Sequence, residues 1–523
     1  MKKTGSEAFP RHFPEIVDTF QPLAAIVIVL AESLCYRPLD MKPYNAADSK
    51  IMKPARCIAI LVCMIAAGFT SLAAPTAPPN LIVILTDDQG YHDVGFNGCQ
   101  DIPTPNLDSI ASNGVKFTSG YVSSPYSSPS RAGLLTGRYQ ERFGYERDSL
   151  WQPKNPDAGL PLSETTLADT LDKVGYATGI IGKWHLGSNP AMHPLKRGFD
   201  EFFGVLGAGH RYLPEELTIE DARQAKTDDD NWHLWVLRNY EPVKTTNYLT
   251  DEFSDEAVRF IARHKDKPFF LLLAYNSPHG PLEATKKYLD RFHKILSPHR
   301  RTYAAMMSAV DNGVGEVLAE LRKDGLEAQT LVVYLSASAG VLDANSSDNY
   351  PLRGSKNYPW EGGWRVPFAI QWPGHLPKAI VYDQPVESLD IFATITALAN
   401  APINPESPLD GVNLVPYLTG QKAGIPHDAI YLRMPDGGSF AVRSGEYKLV
   451  VPATAQPAEL YNVSKDISEL KNLAEVKPEV VMELEKKYAA WSRQMISPES
   501  LESSKPNAPQ PIDTEAEKSK PEP

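Results

Sequence analysis

The 523-residue chain is poor in cysteine, short of basic residues and without an apolar run of membrane-spanning length. Three of its four cysteines, Cys35, Cys57 and Cys63, lie ahead of the expected mature start; only Cys99 follows it. A disulfide framework and a Cys-rich zinc site are therefore excluded. With 52 basic against 64 acidic residues, the formal charge is −12, which excludes a nucleic-acid binder working through a broad basic surface. The run from Cys57 to Phe69 spans about 13 residues, short of the roughly 20 that a membrane anchor needs.

Hydrophobic content of 42% and charged content of 22% are those of a globular chain, so general disorder is excluded as well. Proline is abundant, at 45 residues. A basic start at Met52-Lys53-Pro54-Ala55-Arg56, the apolar run and the small residues Ser71-Leu72-Ala73-Ala74 have the order of a secretory signal peptide. Export to the periplasm or the medium, with no stable membrane anchor, is the expectation. Residues 1–51 then read as an upstream extension, 52–74 as signal peptide and 80–424 as a catalytic domain. Residues 425–496 read as a C-terminal subdomain and 497–523 as a disordered Pro-, Ser-, Lys- and Glu-rich tail.

From residue 80 buried-strand runs alternate with helical patterns. Asn80–Leu85, Tyr176–Ile181, Pro268–Ala274, Thr330–Leu335 and Val366–Gln371 are continuous apolar runs of the kind found in parallel strands. A helix is expected from Thr104-Pro105 to Ala111, another from near Thr250 and a third over Thr302–Leu321. The fold class is α/β: a large, mostly parallel sheet flanked by helices. After residue 425, expected antiparallel strands at Ala429–Arg433 and Ser439–Val451 and a helix over Glu479–Met495 make a smaller α+β unit.

Ligands of parallel sheets sit beyond the carboxyl ends of the strands. Asp87-Asp88, Lys183-Trp184-His185 and Asn276-Ser277-Pro278-His279 follow three of the runs, and Arg353-Gly354-Ser355-Lys356 precedes the last. Singly, each has an ordinary reading as a turn, a packed histidine or a solvated lysine. Jointly, two carboxylates, two histidines and several cations on one rim suit a metal beside an anion.

The stretch Ser127-Ser128-Pro129-Ser130-Arg131, with Gly137-Arg138 six residues on, is more specific. It resembles the signature of the sulfatase family: Cys or Ser, any residue, Pro, Ser, Arg, then Gly-Arg. Thr86–Gly90, Thr104–Asp108, Gly182–Gly187, Arg197–Asp200, Pro278-His279, Pro351–Lys356, Glu361–Pro367 and Glu459–Asn462 look like further landmarks in family order. The resemblance covers about residues 80 to 495. It implies an alkaline-phosphatase-like fold and hydrolysis of sulfate esters, of sulfated carbohydrate or aryl sulfates. It also implies formylglycine made from Ser127 by a serine-type maturase. By the same resemblance, Arg131 would hold the formylglycine, Lys183 would bridge it to sulfate and His185 would accept a proton. His279 and Lys356 would bind sulfate and protonate the leaving alcohol. Asp87, Asp88 and the Ser127 position would hold calcium.

One landmark departs from the pattern. Where the family places Ser-Asp-Asn-Gly, this chain reads Leu335-Ser336-Ala337-Ser338-Ala339-Gly340. Ala337 is expected to replace the metal-binding Asp and Ser338 the Asn, which should weaken calcium; Asp348-Asn349 is the nearest candidate substitute. Two alternatives follow: a degenerate member binding sulfated glycan with little turnover, or a phosphate- or phosphonate-ester hydrolase using unmodified Ser127.

Overall fold

The computed structural model describes residues 78–149, 152–214, 235–435, 438–453 and 456–497. The expected upstream extension and signal peptide lie outside them, as does the tail from 498. Among the described residues no helix is long and apolar enough to cross a membrane.

The strands, in chain order, are β1 (Asn80–Thr86), β2 (Val115–Phe117), β3 (Gly120–Tyr121), β4 (Ala177–Lys183), β5 (Glu201–Val205), β6 (Val236–Arg238), β7 (Glu241–Val243) and β8 (Phe269–Ala274). They continue as β9 (Thr330–Ser336), β10 (Phe368–Gln371), β11 (Ile380–Tyr382) and β12 (Val386–Glu387). Ten of them form one sheet in the order β11-β2-β10-β9-β1-β8-β4-β5-β6-β7. Its centre, β9-β1-β8-β4-β5, runs parallel. The Val366–Gln371 run does become a strand, β10, but it lies antiparallel to both β9 and β2. A continuous apolar run shows that a strand is buried on both faces and says nothing of its direction.

Alternation along β1 splits the core in two. Leu81, Val83 and Leu85 join one cluster and Ile82 and Ile84 the other, all at most 1% exposed. Helices α1 (Pro105–Ser112), α3 (Leu249–His264) and α4 (Pro298–Lys323) cover the second face, through Leu107 and Ile110, Phe253 and Phe260, and Met306 and Val310. Helices α2 (Ser127–Thr136) and α5 (Leu389–Leu398) cover the first, through Leu134, Leu135, Ile391 and Ile395. Each such fully buried aliphatic side chain contributes about 1.5–3 kcal/mol. Helix α4 begins where Ser297 Oγ accepts from the Arg300 N–H and Pro298 takes the first helical position, which needs no N–H donor.

The C-terminal part is a four-stranded antiparallel sheet, β13 (Ile430–Arg433), β14 (Phe440–Ser444), β15 (Tyr447–Val451) and β16 (Glu459–Asn462). Helix α6 (Pro478–Ser492) lies on it, with Leu484 among Val442, Leu449 and Leu460 and Tyr488 stacked on Phe440 at 3.7 Å.

Candidate active site

Asp87 and Asp88 leave the carboxyl end of β1. On an extended strand, adjacent side chains point to opposite faces. Asp88 adopts φ +61°, and this left-handed turn lets both carboxylates meet the same groups. β9 ends level with β1, and beyond it the Ala337 N–H donates to the Thr86 carbonyl. Ser338 Oγ then lies 2.7 Å from Asp88 Oδ1 and 3.2 Å from Asp87 Oδ1.

Lys183 is the last residue of β4, two strands from β1. It is preceded by Gly182 at φ +110°, where a Cβ would strike the Ala274 carbonyl oxygen at 1.9 Å. The close approach of β4 to β8 there depends on glycine. Lys183 Nζ donates to Asp87 Oδ2. Its own carbonyl accepts from Arg131 Nη1 at 3.0 Å, and Arg131 Nη2 lies 3.7 Å from Asp87 Oδ1.

Ser127 is the first residue of α2. The helix lacks a side-chain cap from Tyr126; instead Asp148 Oδ1 accepts from the Ser128 N–H at 2.9 Å. Ser127 Oγ is 2.9 Å from Asp87 Oδ1, 3.1 Å from Ser338 Oγ and 3.1 Å from Lys356 Nζ. Lys356 Nζ also donates to Asp88 Oδ1 at 2.7 Å.

His279 follows β8. Its Nδ1 lies 2.7 Å from the Gly280 carbonyl oxygen, which can only accept, so Nδ1 carries the proton. Nε2 lies 3.7 Å from Asp88 Oδ2. His185, at φ +58°, is 4% exposed, and neither ring nitrogen has a hydrogen-bond partner among the described residues.

Burial works against ionisation of Asp87, but Lys183, Arg131, His279 and Lys356 outweigh it and hold the carboxyl well below its usual range. For His185, burial and then the charges of Lys183 and Arg131 act in one direction and keep the imidazole neutral. Burial lowers Lys183 against the pull of Asp87, and it lowers Arg131 likewise. Lys356 is raised: burial opposes its charge, and the two aspartates overcome that. The result is a rim of cations around two carboxylates, with a neutral imidazole close by.

All eight residues singled out in the sequence converge here. The reading of Ala337-Ser338 needs correction by one residue. Ala337 packs in the hydrophobic cluster with Leu85 and Leu335, whereas Ser338 is the side chain that meets the carboxylates. Ser338, not Ala337, is the residue of this bend that meets Asp87 and Asp88, and Ala339, next in line, packs with Tyr121, Val122 and Trp364. Asp348-Asn349 is no substitute. Asp348 is held by His92 Nδ1 at 2.9 Å and the Tyr350 N–H at 2.8 Å, and Asn349 Nδ2 donates to the carbonyls of Gly340, Gly354 and Gly362. Asp148 and the role of Ser338 escaped the sequence reading.

Calcium takes six to eight oxygen ligands, its affinity set largely by how many are charged. Here two carboxylates and two hydroxyls converge, and each carboxylate already carries a lysine ammonium. Among the described residues no group of three or more His, Cys, Asp or Glu is placed to hold a metal ion. This donor set does not fit a calcium shell.

The sulfatase family model matches residues 79–401, and that of the C-terminal region of N-sulphoglucosamine sulphohydrolase matches 355–494. Mouse arylsulfatase J is 36% identical over 387 residues, which cover 72% of this chain and 63% of that protein. Mouse N-acetylgalactosamine-6-sulfatase is 34% identical over 407 residues, covering 74% of this chain and 75% of that one. The crystal structure of Ps i-CgsB in complex with k-i-k-neocarrahexaose superposes with a TM-score of 0.76 at 37% identity, over 80% of this chain and 94% of that chain. Family members generally use formylglycine and calcium. The chain belongs to the sulfatase family, the sulfuric ester hydrolases of the alkaline-phosphatase-like superfamily.

Proposed function

We propose that this chain is an exported enzyme hydrolysing sulfate esters of sulfated carbohydrate, with Ser127 converted to formylglycine by a serine-type maturase. The observation that carries it is the setting of Ser127 Oγ. It is 1% exposed, within 3.1 Å of Asp87, Ser338 and Lys356, and backed by Lys183 and Arg131. The substrate class is supported by N-acetylgalactosamine-6-sulfatase among the relatives and by the neocarrahexaose bound to Ps i-CgsB.

The modified side chain supplies one oxygen to attack sulfur and a second hydroxyl to release the bound sulfate. Asp87 Oδ1 orients the attacking oxygen. Lys183, Lys356 and Arg131 face the charge that grows on the sulfuryl oxygens, in a site where water does not dilute their effect. Neutral His185 accepts the proton of the second hydroxyl. With Nδ1–H held by Gly280, His279 faces the leaving oxygen with Nε2 and gives it a proton only as the doubly protonated imidazolium, returning to the neutral Nδ1–H form; Lys356 is the second donor there.

A second reading has its own support. Ser338 in place of a carboxylate suits a sulfated-glycan binder with little turnover. Co-expression with a serine-type maturase separates the two. Mass spectrometry of the Ser127 peptide should show loss of two hydrogens, and the modified protein should turn over a chromogenic aryl sulfate. Modified protein without turnover favours the binder. Full activity with wholly unmodified Ser127 removes the formylglycine mechanism and favours phosphate- or phosphonate-ester chemistry.

A further inference from the structure

The carboxylates that the family devotes to a calcium ion are neutralised here by the chain itself. Lys183 donates to Asp87 Oδ2, and Lys356 Nζ bridges Asp88 Oδ1 at 2.7 Å and Ser127 Oγ at 3.1 Å. Ser338 Oγ, 2.7 Å from Asp88 Oδ1, occupies the place of a further acidic ligand without bringing its charge. Three cations, Lys183, Lys356 and Arg131, therefore face the two carboxylates, with Asp148 a third acid nearby, so the charges of the site balance without a metal ion. A divalent ion entering this site would meet three like charges and find two acidic ligands already engaged. An anion meets carboxylates already neutralised by protein cations, with no ion needed for it.

We propose that this sulfatase site works without calcium: the Lys356 ammonium stands in the ion's place between Asp88 and the Ser127 oxygen, and the substrate's sulfate is met by protein cations alone. The substitution is chemically coherent. An ammonium is a compact charge with three donors, enough to bridge a carboxylate, the Ser127 oxygen and one sulfate oxygen. It also explains how the chain can lack the third carboxylate. That group balances a divalent ion, and beside a monovalent ammonium it would leave the site too negative for sulfate.

The inference rests on the hydrolysis reading only for its turnover arm. The full-length mature chain, stripped with chelator, is titrated by calorimetry with calcium chloride and with inorganic sulfate. The expected result is no calcium heat into the millimolar range, and a sulfate affinity that calcium changes by less than about twofold, since an ion that does not bind cannot shift the affinity for another ligand. Aryl sulfate turnover of the formylglycine-bearing protein should be unaffected by chelator. The double variant Ser338→Asp with Lys356→Met, which returns the carboxylate and removes the ammonium, should acquire calcium binding. Calcium binding by the native chain that strengthens sulfate more than about fivefold overturns the proposal. So does chelator-sensitive turnover restored by calcium, or a folded double variant that still ignores calcium. Absence of turnover after confirmed maturation would instead defeat the hydrolysis reading, with the calcium and sulfate titrations still deciding the metal question.

Discussion

Two buried ionic clusters in this molecule have the same inventory and opposite construction. The rim holds Asp87 and Asp88 with Lys183, Lys356 and Arg131; the cluster beneath the C-terminal sheet holds Glu361 and Glu469 with Arg365, Arg443 and Lys448. In the second, the charges close on one another. Glu361 takes Arg365 and the Tyr121 hydroxyl at 2.7 Å each and Lys448 at 3.0 Å, while Lys448 reaches Glu469 at 2.9 Å. Glu469 also accepts from the Glu361 N–H at 2.8 Å. Both clusters hold atoms without a hydrogen-bond partner among the described residues, but Glu361 Oε1, Lys448 Nζ and Glu469 Oε1 of the second still lie within 3.0 Å of an opposite charge. Beside the first, by contrast, both His185 nitrogens have no such partner, and Arg131 Nη2 comes no nearer to Asp87 than 3.7 Å. A structural cluster pairs its charges with one another, whereas a substrate site keeps donors and acceptors in reserve for a charge that arrives later.

That difference can be broken from either side. The largest effect is expected at Lys183→Met, which should lower aryl sulfate turnover by about 10²–10³-fold. Asp87 would keep Ser127, Ser338 and Arg131, so the stability loss should stay below the roughly 3–5 kcal/mol of an uncompensated buried pair. Steady-state kinetics beside urea unfolding checks both halves. Glu361→Gln should do the reverse. Three buried cations lose their main carboxylate, and stability should fall by about 3–5 kcal/mol. Turnover per folded molecule should stay within about twofold, because no atom touching substrate moves. A collapse of turnover without loss of stability in this variant would end the distinction between the clusters.

The smallest expected effect concerns a third network, at Glu387, Asp390 and His427. Burial opposes the charge on His427, but Asp390, with oxygens at 2.8 and 3.0 Å, raises it from 6.5 to about 9. Burial pushes Glu387 up to about 8. Both groups bind protons more tightly folded than unfolded. His427's contribution is thus fully present below pH 6.5 and lost as pH rises through about 9, and Glu387 adds a loss in the same direction up to about pH 8. Thermal unfolding should show declining stability from pH 6.5 to 9, and His427→Asn should flatten the slope.

How much of this was legible in the sequence differs residue by residue. Asp87, Asp88, Lys183, His185 and His279 could be placed from chain order alone, because parallel strands bring their carboxyl ends to one rim. Lys356 precedes its strand instead of following it, so the carboxyl-end rule that places the others does not by itself place it. Ser338 was read one place off, since strand alternation ends at Ser336 and nothing local states which residue of the following bend turns inward. Asp148 had no signal: an aspartate in an irregular segment caps α2 only because the fold delivers it there. The direction of β10 was hidden for a similar reason, as buried runs look alike read either way.

The separation in chain of the groups around Ser127 has one further consequence. Ser338 meets Asp87 across 251 residues, Lys356 meets Ser127 across 229, and Lys183 meets Asp87 across 96. Contacts this distant close late in folding, after local helices and hairpins have formed. A partly folded chain can hold much of its secondary structure and none of its site. Recovered activity after refolding is therefore a reporter of the finished sheet, and it should lag the return of helical signal.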